Sequence, residues 1–457
     1  MVARGCLNGR SRAKDNFAIL YRCSLQQLLR THRNTDAFQC ASARLKPITS
    51  IKGRAMMGRD MQDKLGAVKR GRWAVAAMFL VNGFIMGAWA PQIPLLLPRH
   101  HITETTLGLM ILLLGIGAVG AMLFAGKLIA RLGSRRAAVL FGAMSIPMLP
   151  LVVAAPNLWL LGPAMMIMGA VIGTMDVSMN ANAVEVEHRL GRAIMSSSHG
   201  FWSLGGFFGG GVGGVVLARY GAEIQSLGVA LLSAVILLIA ARFLISEQKS
   251  ARVDDYAKPR KIAMFPRASG LYVLGAMALF SMIPEGATLD WAALYLNKQL
   301  GADLGRSGLA FAFFAGSMAV MRFLGDAVRN RFGAVKTLRL SSFAGTAGML
   351  IAAIAPNDIA AIAGFALCGL GVANMVPILF SAAGNFAGIG PGAGIATVTM
   401  MGYSGILIAP SAIGFAAEHI GYRITFGVMA CLMLGVAVLA GRAEAADGAR
   451  LRAALAS

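Results

Sequence analysis

The stretch TTLGLMILLLGIGAVGAMLFAGKLIARLGSRR, residues 105–136, decides the fold. Its apolar part, near 105–129, is long enough as a helix rising 1.5 Å per residue to cross the ~30 Å hydrocarbon core of a bilayer. A short basic loop, GKLIARLGSRR (126–136), follows at once, of the kind retained on the cytoplasmic side of a membrane. A second copy of that loop, GDAVRNRFGAVK (325–336), stands 199 residues further on, and GTMDVSMN (173–180) lines up with GVANMVPI (371–378) at an offset of 198. Two agreeing offsets across half the chain argue for an internal duplication.

Working outward with the same length criterion gives twelve spans, near 73–97, 105–129, 137–155, 158–184, 194–218 and 225–245, then 269–296, 305–327, 336–355, 358–385, 394–417 and 421–441. The expected class is an all-α membrane protein with two pseudo-symmetric six-helix bundles. The expected organisation is a basic extension (1–72), a bundle (73–245), a linker SEQKSARVDDYAKPRKIAMFPR (246–267), a second bundle (268–441) and a tail (442–457). Composition agrees: 57% hydrophobic and 14% charged residues leave a soluble chain of 457 residues too little polar surface.

The net charge of +22 is not a nucleic-acid signal, because residues 1–72 alone hold 16 Lys and Arg against four Asp and Glu. Of the rest, 18 basic residues fall on one side of the alternating loops and five (Arg99, Arg219, Lys298, Arg306 and Arg423) on the other. That bias places both termini and the central linker in the cytoplasm of an inner-membrane protein. The first sixty residues hold no long apolar run, which excludes a secretory signal. An upstream start with Met56, Met57 or Met61 as initiator, a disordered basic extension and an organellar transit peptide all stay open. Five cysteines at scattered spacing give neither a metal nor a disulfide framework.

Gly126, Arg131, Gly133, Arg135 and Arg136 in the first loop, and Arg322, Gly325, Asp326, Arg331 and Gly333 in the second, give residues 70–441 their resemblance to the major facilitator superfamily of transporters. The resemblance implies the major facilitator fold, and gating loops in which glycine admits close helix packing and aspartate caps and ion-pairs. Ala130 stands where the first copy would carry the aspartate. DVSMNANAVEVEHRLGRAIMSSSHGFWSLGG (176–206), PEGATLDWAALYL (284–296) and GYSGILIAPSAIG (402–414) resemble the fucose-permease-like branch and its bacterial inner-membrane members.

Ionisable residues inside a membrane face a cavity or a partner. Asp176 shares a helical face with Asn180, and counting along the spans brings His199 to a similar depth. The two are expected to meet, either as a packing ion pair or as a proton-sensitive one. Glu285, between Pro284 and Gly286, is expected at a break in span 7, either as the proton-coupling carboxylate or as a cap on the broken helix. Asn82, Trp89, Gln92, Asn180, Trp202, Asp290, Trp291, Asn374 and Tyr403 are the candidate solute lining, each equally readable as helix packing or interfacial anchoring. Amide and aromatic groups together suit a hydroxylated solute such as a sugar.

GGFFGGGVGG (205–214) lies inside an apolar span and reads as close helix contact rather than a nucleotide loop. No P-loop, zinc motif or Ser/His/Asp arrangement stands out, so neither an enzyme nor a cofactor or metal site is expected. The favoured function is proton symport of a small polar solute, such as a sugar, by alternating access in a monomer. Its rivals are proton-driven efflux of drugs or metabolites and a non-transporting membrane sensor.

Overall fold

The computed structural model describes residues 51–191, 194–246, 268–387, 389 and 391–447. Lys64–Ser457 form one compact unit. The other unit, Met1–Asp63, is described only by its helical backbone from Ile51. Every regular element among the described residues is helical, and twelve helices are long and apolar enough to span a membrane. They are α1 (Leu65–His100), α2 (Glu104–Leu132), α3 (Ser134–Ala154), α4 (Leu158–Leu190), α5 (Met195–Tyr220) and α6 (Ala222–Phe243). The second six are α7 (Ser269–Leu300), α8 (Leu304–Phe332), α9 (Ala334–Ile354), α10 (Asp358–Gly384), α11 (Pro391–Ile420) and α12 (Tyr422–Leu439). The linker residues 247–267 and the tail beyond Asp447 lie outside the described residues.

The duplication is written in the helix ends. Thr103 and Asp303 cap α2 and α8 by accepting from the N–H three residues on, and Asn157 and Asn357 do the same for α4 and α10. Gly133 (φ 80°) and Gly333 (φ 81°) close α2 and α8, where a left-handed residue lets the chain reverse into the next helix. Each pair is 200 residues apart, so the turn chemistry repeats more faithfully than the spans it separates.

Three boundaries depart from the sequence reading. The first span begins at Leu65 instead of near Trp73, and tightens into a 3-10 turn at Ala90–Gln92 around Pro91. Span 7 does not break at Pro284; α7 is continuous over Ser269–Leu300. One proline removes one backbone bond, and buried residues on both sides of Pro284 hold the helix together. Interruptions lie instead in α3, at Ile146–Pro147, and in α10, at Ala373–Asn374, four residues before Pro377. The segment beyond α12 is no free tail either. Ala440–Asp447 forms a 3-10 turn whose Asp447 carboxylate accepts from the N–H of Ala334 at 2.9 Å, capping α9.

Small residues set the helix spacing. Gly205 and Gly209 lie against the α1 backbone at Leu80 and Phe84, and Gly210 and Gly214 lie against α8 at Gly308 and Gly305. The 205–214 run therefore serves two neighbours from two faces of α5. The α5–α8 seam continues from Gly214 to Gly200, which packs on Phe323. The α2–α11 seam is shorter. It holds at Gly108 against Pro410 and Ser411 and at Gly115 against Leu407, whereas Gly126, on the same face of α2, meets nothing within 4 Å. The bundle is thus closed at the end holding Glu104 and Glu418, the far end. Between α2 and α11 it is open toward the end holding the two basic loops, the basic end.

Candidate functional site

Glu285 sits in the middle of α7, 15 residues from Leu300, hence ~22 Å from that end. Its carboxylate faces Arg322 of α8, with the guanidinium 3.4 Å from Oε1 and 3.5 Å from Oε2. The other arm of Arg322 crosses to α5, donating to Ser203 Oγ at 2.7 Å and to the His199 carbonyl at 3.5 Å. Ser196 of α5 in turn donates to the Arg322 carbonyl at 2.8 Å. One side chain therefore ties both halves of the molecule to the central carboxylate. Arg322 was expected in the gating loop; ten residues of helix separate it from Phe332, and it belongs to this network instead.

Asp176 on α4 and Tyr403 on α11 lie nearby. Tyr403 lies close enough to feel the charges of both Asp176 and Glu285. Asn180 donates to the Asp176 carbonyl one turn above it at 2.9 Å. The Glu285 side chain keeps 29% of its surface exposed, Tyr403 keeps 37%, and Asp176 is half-buried. A carboxylate at that depth is strongly disfavoured facing lipid, so Glu285 and Asp176 are turned toward the interior of the bundle.

Asp176 and His199 do not meet: no hydrogen bond or ion pair joins them among the described residues. The sequence count misjudged both depths. α4 runs to Leu190, which sets Asp176 ~21 Å from the basic end, while His199 lies four residues into α5, ~6 Å from it. The His199 ring packs edge-on against Phe79 at 5.1 Å, beside Arg322.

Of the expected lining, Trp202 donates to Asn82 Oδ1 at 2.9 Å, and Asn82 reaches the Ile172 carbonyl at 3.3 Å, a chain joining α5, α1 and α4. Gln92 is buried and bonded to Gln225 and the Ala222 carbonyl, which fastens α1 to α6 rather than greeting solute. Trp89, Asp290 and Trp291 lie buried in the closed far half. Asn374, at the interruption of α10, packs its amide oxygen on Gly325.

The basic loops are only partly as expected. Gly325 is a close-packing glycine, but Gly126 faces open space. Arg135 donates to the Ala241 carbonyl at 3.0 Å and to Ser246 at 3.3 Å, binding the loop to the end of α6. Arg131, Arg136 and Arg331 are exposed, and the Asp326 side chain is outside the described residues. Sequence reasoning missed Ser203, whose hydroxyl has no signature, and Arg329, which donates to Ser381 and to the Ala446 carbonyl, each at 2.9 Å. It also missed Glu187, whose carboxylate accepts the N–H of Ile194 at 2.8 Å as the chain enters α5.

A family model described as the Major Facilitator Superfamily matches residues 74–391 and 274–453. The chain belongs to the major facilitator superfamily. It is 36% identical over 363 residues to an uncharacterised MFS-type transporter of Yersinia pestis, covering 79% of this chain and 93% of that protein. It is 33% identical to the membrane protein MosC of Rhizobium meliloti, over 76% of this chain and 84% of MosC. Among solved structures, the nucleoside transporter NupG superposes with a TM-score of 0.64 at 12% identity, over 81% of this chain and 98% of NupG. A D-xylose-proton symporter gives 0.63 at 14% identity, over 82% and 97%. At those identities the superpositions establish the shared fold, and superfamily membership makes the chain a multi-pass membrane transporter rather than an enzyme.

Proposed function

We propose that this transporter carries a small polar solute, of the size and hydroxylation of a sugar, together with protons by alternating access. The observation that carries the reading is the Glu285–Arg322 pair, partly exposed in the interior of the bundle and bonded across to Ser203. A proton on Glu285 removes the charge that holds one arm of Arg322, and a solute hydroxyl can then take the vacated donor. Proton and solute thereby act on one side chain, which is what coupling requires. The donors and acceptors near the pair that keep exposed surface, Asn180, Tyr403 and Asp176, suit hydroxyl groups, and the resemblance to the fucose-permease-like branch points the same way.

In this reading the basic end is cytoplasmic by the positive-inside bias, the membrane is the inner membrane, the functional unit is the monomer, and the conformation is open to the cytoplasm. The α5–α8 seam is the axis about which the halves rock, since it packs over its whole length while α2–α11 parts. The test is external pH recorded from proteoliposomes while candidate sugars are added singly. Solute-dependent alkalinisation outside is expected; silence toward sugars with flux driven by lipophilic cations would replace uptake by efflux.

A further inference from the structure

We infer that Asp290 is a second proton-binding site, separate from Glu285, and that the far-end seam closes only with a proton on its carboxyl. The inference deepens the proton-coupled reading and rests on it for its place in transport.

Asp290 lies five residues beyond Glu285 on α7, ~7.5 Å nearer the far end and about 140° round the helix. It therefore turns away from Arg322 and shares a face with Gly286. These two residues, with Ile283, Ala287, Trp291, Ala409, Pro410 and Ile413, line a cavity of about 20 Å³, room for one water molecule. Asp290 is 7% exposed; beside it lies the Trp89 indole N–H of the other half of the molecule, which is buried with no hydrogen-bond partner among the described residues. The indole nitrogen of Trp291 is buried in the same place without a hydrogen-bond partner.

No cation faces this carboxyl among the described residues. α1 offers Trp89, with Gln92 turned to Gln225. α11 offers Ala409, Pro410 and Ile413, and its Glu418 accepts from the Thr105 N–H at 2.9 Å at the far end. α12 offers Tyr422, tilted against Trp291 with ring centroids 6.4 Å apart, and its Arg423 donates to the Ala355 carbonyl at 2.8 Å. On α7, Glu285 is engaged by Arg322, and Lys298 is paired with Glu104 at 2.6 Å. On α8, Arg306 is paired with Asp358 at 3.0 Å. An ionised carboxylate enclosed with one neutral donor is unfavourable, whereas the carboxylic acid is readily buried. Closing the seam thus takes one proton from the far-side solution onto a carboxylate oxygen, and opening returns it. Trp89 supplies the cross-half contact that registers the change.

The test uses purified full-length protein in nanodiscs, free of native cysteines, with spin labels at His101 and Gln299, both exposed at the far end on opposite halves. Neither solute nor gradient is present, so the result is independent of whether solute-driven proton flux is found. In the parent protein the distance distribution should lengthen as pH rises. Asp290→Asn should stay short at every pH, and Glu285→Gln should keep the parent transition. Trp89→Phe removes a donor that favours the ionised form, so its transition should move to higher pH by about one unit. A parent-like transition in Asp290→Asn overturns the inference, as does its loss in Glu285→Gln alone. If Asp290→Asn fails to fold, an unshifted Trp89→Phe transition overturns it.

Discussion

Arg322 shows how a residue's neighbours decide its role. Three positions before Gly325 it looked like part of a loop pattern, yet the helix continues past it and aims its guanidinium at Glu285 and Ser203. Glu285 was legible as a charge in an apolar span; its partner was not, because nothing in one sequence says which helix lies across from it. The planar fork that serves two acceptors on two helices is not reproduced by an ammonium. Arg322→Ala should therefore lower solute counterflow in proteoliposomes at least tenfold, with Arg322→Lys between it and the parent. Parent-level counterflow in Arg322→Ala would remove this residue from the site. The failed meeting of Asp176 and His199 has the same origin, since a few residues of error in two helix ends became ~15 Å of relative depth.

At the scale of elements, the twelve spans were legible because length and apolarity alone define them, and the turn residues marked the repeat. Breaks were not legible, because proline has two outcomes. Pro284 is absorbed by a well-packed α7, whereas α10 opens at Ala373–Asn374 ahead of Pro377, where Asn374 meets Gly325. Two glycines make opposite predictions. A β-carbon on Gly169 would enter the Leu114 backbone of α2, so Gly169→Ala should destabilise the protein by ~1–3 kcal/mol of overpacking, read as a lowered Tm. Gly126 has free space here, so Gly126→Val should leave Tm unchanged. It should slow transport, because the α2–α11 seam must close at the basic end in the other half of the cycle. An unaltered rate would mean that closure does not pass through Gly126.

The whole molecule is held closed at the far end by a few exposed contacts and by buried glycine seams. The Glu104–Lys298 pair joins α2 to α7, with side-chain exposures of 14% and 44%, and an ion pair so placed contributes at most about 1 kcal/mol. Lys298→Ala should then raise the ratio of far-end-open to closed protein by no more than about fivefold, measured by the same spin-label distances. A larger shift would make this pair the principal latch in place of the packed seam. Direction and substrate were beyond reach of the sequence because they depend on how two halves meet, which no local pattern encodes.

The central claim is that Glu285 links proton and solute through Arg322. The measurement that addresses it most directly compares Glu285→Gln with the parent in proteoliposomes, for solute exchange without a gradient and for accumulation under an imposed proton gradient. Exchange retained with accumulation lost is the predicted result. Accumulation equal to the parent's would contradict the claim.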